Sequence, residues 1–167
     1  MVVIVMGVAG SGKTSIGMML ASDLGCDFRD ADDLHSQENR YKMHRGLPLT
    51  DEDRRPWLAA VRALIDRYEE SGTDAVIACS ALKEAHRAVL TEGTNDIRLV
   101  YLKGSMDLIA QRLAARHGHF FDPALLRSQF EVLEEPNEAI VVDVAGTPAE
   151  IVAAVHARLA KRQIETV

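Results

Sequence analysis

The stretch Gly7-Val8-Ala9-Gly10-Ser11-Gly12-Lys13-Thr14 reads G-x-x-x-x-G-K-[ST] at every fixed position. Residue types at this spacing hold phosphate. The glycines let the backbone curl so that successive N–H groups along residues 7–14 converge on phosphate oxygens. A helix opening at Lys13 adds the positive end of its dipole. Lys13 reaches the β- and γ-phosphates of a nucleotide, and the Thr14 hydroxyl ligates Mg²⁺.

A second cluster, "RDADDLH" at residues 29–35, sets Asp30, Asp32 and Asp33 a short helix downstream of that loop. Acids beside a polyanion repel it unless a cation or an uncharged group lies between. Mg²⁺ beside a nucleotide keeps several waters and takes one or two carboxylates, which suits Asp30. In an extended chain Asp32 shares a side with Asp30, while Asp33 points away. Asp32 is then placed to hydrogen-bond an acceptor hydroxyl and take its proton during phosphoryl transfer. Asp33 precedes a helical stretch, Leu34 to Met43, and is expected to cap it. The tip of the apolar run Ala75–Cys79, where a metal-holding Asp is usual, offers Ser80 instead.

The elements that must position these groups follow from the hydrophobic pattern. Val2–Met6, Ala75–Cys79, Ile97–Leu102 and Ala139–Val144 are short, nearly continuous apolar runs, and Cys26–Asp30 is a weaker one. Such runs form parallel strands covered on both faces. Between them lie amphipathic stretches. Lys13 to Leu24 stops at Gly25, and Trp57 to Tyr68 has apolar residues at helical spacing. Asp122-Pro123 opens a helix that Pro136 closes, and Thr147-Pro148-Ala149-Glu150 is a capping box. The alternation predicts one doubly wound α/β domain over residues 1–167, with five parallel strands and helices on both faces. Two segments, Asp30 to Pro56 and Arg112 to Gln129, are irregular and polar, and belong to function rather than to the core.

Composition narrows the classes. The chain has 167 residues, 47% hydrophobic and 26% charged, so a globular domain is expected. A net charge of −6 without a basic block argues against a nucleic-acid partner. No run approaches a membrane span and no leader is recognisable, so a cytoplasmic setting is expected. Cys26 and Cys79 read as buried free thiols.

Beyond the phosphate loop, several blocks resemble the gluconokinases of the P-loop kinase superfamily. They are Asp30, Asp32, Leu34 and His35; Asn39, Lys42, Met43, Gly46, Pro48 and Leu49; Asp51, Asp53, Arg54, Pro56, Trp57 and Leu58. Cys79-Ser80-Ala81-Leu82-Lys83, Tyr101-Leu102-Lys103-Gly104, Arg112-Leu113, Arg116, Gly118-His119-Phe120-Phe121 and Gln129-Phe130 with Leu133 and Pro136 extend the match nearly end to end. The resemblance implies MgATP-dependent phosphorylation of D-gluconate on its 6-hydroxyl, an adenylate-kinase-like core with a lid at about 112–129, and a homodimer.

Roles follow on that basis. Arg112 and Arg116 share a helical face and are expected to close over the phosphates, a catalytic role alongside Lys13 and Asp32. His119, in the Gly-His-Phe-Phe block, is a substrate-binding candidate on the resemblance. His35, Asn39 and Lys42, at i, i+4 and i+7, are expected on one helix face beside Asp32, lining an acceptor segment at about 30–58. Arg54 is the first choice for the substrate carboxylate and Lys83 the second, with Arg87 as a surface charge. Trp57 is expected in the core, and His44, His86, His117 and His156 on the surface. The adenine is expected near Gly146-Thr147-Pro148. Rival readings are a kinase of another acceptor, such as shikimate or a nucleoside monophosphate, and a nucleotide-binding switch. The block from His35 to Trp57 argues against the first, and the acids beside a separate cationic segment argue against the second.

Overall fold

A computed structural model describes residues 1–94, 96–115 and 123–164, with side chains through residue 160. Five strands, β1 (Val2–Met6), β2 (Asp27–Asp30), β3 (Ala75–Ala78), β4 (Ile97–Lys103) and β5 (Ile140–Asp143), form one all-parallel sheet in the order β2-β3-β1-β4-β5. The helices are α1 (Lys13–Leu24), α2 (Gln37–His44), α3 (Asp51–Ser71), α4 (Glu84–Thr91), α5 (Met106–Ala114), α6 (Pro123–Glu131) and α7 (Pro148–Ile164). All five expected strands are present.

The central strand shows why its sequence is apolar throughout. Val3 and Val5 pack with Ile16, Leu20, Val100 and Val155 on one face. Val2, Ile4 and Met6 pack with Trp57, Val61, Ile65 and Leu90 on the other. Both faces of β1 are covered, so alternation would place polar groups in a core. β2 lies at the sheet edge with every second residue exposed, which explains its weaker signal.

α3 begins earlier than its apolar spacing suggested. Thr50 and Asp53 form a reciprocal capping box, and Asp51, Glu52 and Asp53 occupy the first turn, where carboxylates favour the helix dipole. Pro56 lies inside the helix and lacks the N–H of a regular turn. Burial of Trp57, Leu58, Val61, Leu64, Ile65 and Tyr68, at roughly 1.5–3 kcal/mol per side chain, outweighs that loss.

The segment after β2 departs from expectation. The chain does not stay extended: Ala31–Leu34 is a 3₁₀ turn, and α2 starts only at Gln37. Asp33 caps neither element. Asp30 caps the 3₁₀ turn, accepting from the Asp32 N–H at 3.1 Å, and Ser36 caps α2 through the Asn39 N–H. α6 starts at Pro123 as expected, but ends at Glu131, short of Pro136. Asp122 lies outside the described residues. The capping box at the start of α7 is present, with Glu150 accepting from the Thr147 N–H at 2.8 Å.

Candidate active site

The phosphate loop leaves the C-terminal end of central β1 and enters α1. It stands where the chain path reverses direction across the sheet, the crevice in which such folds bind ligands. Two glycines are required there on steric grounds. Gly10 adopts φ +80°, and a Cβ on it would lie 2.7 Å from Cγ of Leu113 on α5. A Cβ on Gly7 would lie 2.7 Å from the Ser11 hydroxyl and 2.9 Å from the Leu102 carbonyl. Ser11 is itself buried, and its hydroxyl has no partner among the described residues.

Lys13 folds over the loop, its Nζ donating to the Val8 carbonyl at 3.1 Å. The Thr14 hydroxyl donates to Asp30 Oδ2 at 2.8 Å. This contact brings together the two oxygen groups expected to hold Mg²⁺, one hard hydroxyl and one carboxylate. Two protein oxygens suit an ion that takes its other ligands from phosphate and water, so the donor set fits. Because Asp30 also caps the 3₁₀ turn, one carboxylate fixes both its own position and that of Asp32.

A cavity of about 280 Å³ opens beside the loop. Ala9, Lys13, Asp32, His35, Arg54 and Lys83 are among its lining residues, so the structure gathers five of the expected site side chains. A larger groove of about 520 Å³, lined by Arg87, Ile97, Leu99 and Glu138 among others, involves the N-terminal part of β4 and no phosphate-loop residue. Chemistry favours the smaller one.

Within the cavity Asp32 exposes 63% of its side chain, yet it sits in a concavity walled by protein. Desolvation there raises its pKa, against the pull of Lys13, and the neighbouring charges of Asp30 and Asp33 add to the rise. His35 is stacked on Trp57, with ring centroids 4.5 Å apart and planes at 11°. Burial, then the charges of Arg54 and Arg40, lower its pKa to about 4, so it is neutral at ordinary pH. Its Nε2 lies 3.9 Å from Asp32 Oδ1, and its Nδ1 is buried without a partner among the described residues. Trp57 is in the core as expected and donates Nε1–H to the Ala31 carbonyl at 2.7 Å, tying α3 to the acidic turn.

The cations divide into engaged and available. Lys83 is held by both oxygens of Asp51, at 2.8 and 2.9 Å. Arg54 lines the same cavity half-buried, its guanidinium making no hydrogen bond or ion pair to the described residues. Desolvation lowers its pKa, opposed by Asp51 and Asp32. Apolar side chains, among them Met43, Leu47, Leu125 and Val132, complete the wall.

Other expected site residues lie elsewhere. Lys42 bonds Asp53 at 2.7 Å and Glu38 at 3.3 Å, and Asn39 is buried, donating to the Asp53 carbonyl at 2.7 Å. Both fasten α2 to the start of α3 rather than line the cavity. The helical face expected for His35, Asn39 and Lys42 does not form, because His35 precedes α2. Arg112 donates to the carbonyls of Val144 and Gly146, beside the turn expected to meet adenine. Arg116, His117 and His119 lie outside the described residues.

Two surface assignments are corrected. Arg87 is buried and donates to the carbonyls of Ala81 and Leu82, bracing the turn after β3, where Ala81 holds φ at +41°. His86 is buried, lines the cavity and stands 3.6 Å from Asp51. Its position three residues after Lys83, on the same helical face, was a usable signal. Gln129 was also missed: its Oε1 accepts the Ala9 N–H at 2.7 Å, and it lines the cavity. Cys79 is a buried thiol as expected, its pKa pushed up to about 12 by burial, while Cys26 is only half-buried. His44 and His156 are exposed, as expected.

A parallel five-stranded sheet, a phosphate loop after its central strand and a cavity holding an acid and cations define a P-loop kinase of small molecules. The family model described as shikimate kinase matches residues 9–159. The chain is 46% identical to a probable gluconokinase of Mus musculus over 174 aligned positions, covering 92% of this chain and 95% of that one. It is 42% identical to the thermoresistant gluconokinase of Escherichia coli strain K12, covering 84% and 83%. A crystal structure of a gluconokinase from Sinorhizobium meliloti 1021 superposes with a TM-score of 0.89 at 42% identity, covering 98% and 95%. The chain belongs to the gluconokinase family.

Proposed function

We propose that the protein transfers the γ-phosphoryl group of ATP to the 6-hydroxyl of D-gluconate, giving 6-phospho-D-gluconate and ADP. The observation that carries the reading is the cavity itself: it joins the phosphate-loop residues Ala9 and Lys13 to the acid Asp32 and to Arg54, a cation with no protein partner among the described residues. An acceptor with a hydroxyl at one end and a carboxylate at the other fits that arrangement, and the relatives named above are gluconokinases.

Each residue then has a task. Amides of the phosphate loop other than that of Ala9, which donates to Gln129, cradle the phosphates, and Lys13 swings from the Val8 carbonyl toward the β- and γ-phosphates. Thr14 and Asp30 would hold Mg²⁺, which neutralises phosphate charge when bound. Asp32 receives the hydroxyl proton; its raised pKa makes it a stronger base than an ordinary carboxylate. Arg54 clamps the substrate carboxylate, with neutral His35 and His86 offering hydrogen bonds to hydroxyls, and Lys83 set in place by Asp51. Arg112 and Arg116 are proposed as lid cations, Arg112 leaving the carbonyls after β5 when the lid closes. His119 is proposed as a substrate contact and Lys42 as a strut.

Among the described residues no helix is long and apolar enough to cross a membrane. A cytoplasmic homodimer without nucleic-acid partners remains part of the proposal. The test is ADP release with gluconate, shikimate, AMP or no acceptor, each with ATP and Mg²⁺. Release that depends on gluconate alone is expected. Equal release with and without gluconate would overturn the reading in favour of a switch, and release with shikimate or AMP in favour of another kinase.

A further inference from the structure

The hydrogen bond between Ala9 and Gln129 joins segments 120 positions apart. It ties the third residue of the phosphate loop to α6. A backbone N–H only donates, so the carboxamide atom meeting it at 2.7 Å is the oxygen. That fixes which end of Gln129 is Nε2, a group carrying two N–H donors with no partner among the described residues. Gln129 lines the same cavity as Lys13 and Asp32. The helix beneath it is seated firmly, with Leu126 buried in the core and Leu125 and Ser128 in the cavity wall.

A donor held at the junction of phosphate loop and acceptor cavity has a specific use. Phosphoryl transfer spreads negative charge over the equatorial oxygens of the group in transit, and fixed donors there need no reorganisation as the charge develops. We propose that Gln129 is a catalytic residue that donates from Nε2 to an oxygen of the transferring phosphoryl group while Oε1 pins the carboxamide to the phosphate loop. The proposal rests on the phosphotransfer reading above. In the step it assists, the bond from γ-phosphorus to the β–γ bridging oxygen breaks, its electron pair leaving with ADP. The acceptor oxygen bonds phosphorus, and the hydroxyl proton passes to Asp32. Gln129 keeps its own protons throughout.

The Gln129→Glu and Gln129→Met variants of the full chain separate donor from clamp. Glutamate keeps an oxygen for the Ala9 N–H but removes both donors, whereas methionine removes oxygen and donors at similar length. Both are expected to lose kcat by about 30-fold or more, with the melting temperature of each and the ADP affinity of the methionine variant near wild type. The ratio of the glutamate variant's kcat to that of wild type is expected to rise as pH falls, since a protonated carboxyl regains a donor. Should the glutamate variant fail to fold, the methionine variant decides through its loss of kcat at unchanged ADP affinity. Near-normal kcat in the glutamate variant, or a loss confined to KM for ATP, would overturn the proposal and leave Gln129 as a clamp. Acceptor-free ATP hydrolysis is followed in parallel. Absence of gluconate-dependent turnover in wild type strikes the acceptor assignment, whereas equal rates of methionine variant and wild type in both reactions strike the role of Gln129.

Discussion

Asp32 and His35 sit 3.9 Å apart and titrate in opposite senses. Desolvation raises the pKa of Asp32, and only its ionised form accepts a proton, so kcat is expected to fall with decreasing pH at values above those of an ordinary carboxylate. Asp32→Asn should lower kcat by about 10²-fold or more and leave ATP affinity unchanged, measured by steady-state kinetics and calorimetry. Near-normal turnover would reduce Asp32 to a structural acid. His35 binds its proton less readily in the folded protein, at about 4 against 6.5. Between those values the unfolded chain carries more protons, so stability drops as pH falls through that window, by up to about 3 kcal/mol. His35→Phe preserves a ring on Trp57 without titrating, and urea midpoints measured from pH 7 to pH 4 should decline less steeply than in wild type. An unchanged slope would contradict the buried, neutral imidazole. Asp32 was legible in the sequence because acid types at a strand tip carry chemistry, and His35 through the family block it shares; the geometry joining them was not, since a 3₁₀ turn gives little periodic signal in four residues.

At the scale of elements, α2 and the start of α3 form a scaffold for the acceptor side. Lys42 and Asn39 both end on Asp53, so the polar face of α2 that suggested a binding surface is an interhelical joint. Sequence spacing groups residues along one helix but does not reveal which second helix meets them. Lys42→Met and Asp53→Asn should therefore behave alike, each lowering the melting temperature slightly and raising KM for gluconate modestly with kcat little changed. A large rise in KM for Lys42→Met alone would return Lys42 to the substrate. For His86, a residue type common on surfaces, spacing sets it on the Lys83 face, and the packing of α4 beside α3 shows that face turned to Asp51. Two capping signals held where that of Asp33 did not. Gly25 and the Thr147–Glu150 pair are local devices, readable without knowledge of tertiary contacts.

Across the whole molecule, the order β2-β3-β1-β4-β5 puts the phosphate loop at the centre and the acidic turn on the edge strand beyond β3. On the proposed reading nucleotide and acceptor approach from different parts of one crevice, and α6 meets the phosphate loop through Gln129. The strand pattern disclosed the sheet because parallel strands covered on both faces must be apolar throughout. It could not disclose which of Arg54, Lys83 and His86 is left unpaired, a matter settled by the placement of Asp51. The decisive measurement is the structure of the product. Protein, ATP, Mg²⁺ and D-gluconate are incubated together and the mixture is followed by phosphorus and proton nuclear magnetic resonance. One new phosphomonoester coupled to the two protons on C6, formed in step with ADP, is the expected result. ADP accompanied only by inorganic phosphate, or a phosphoester at another carbon, would contradict transfer to the 6-hydroxyl.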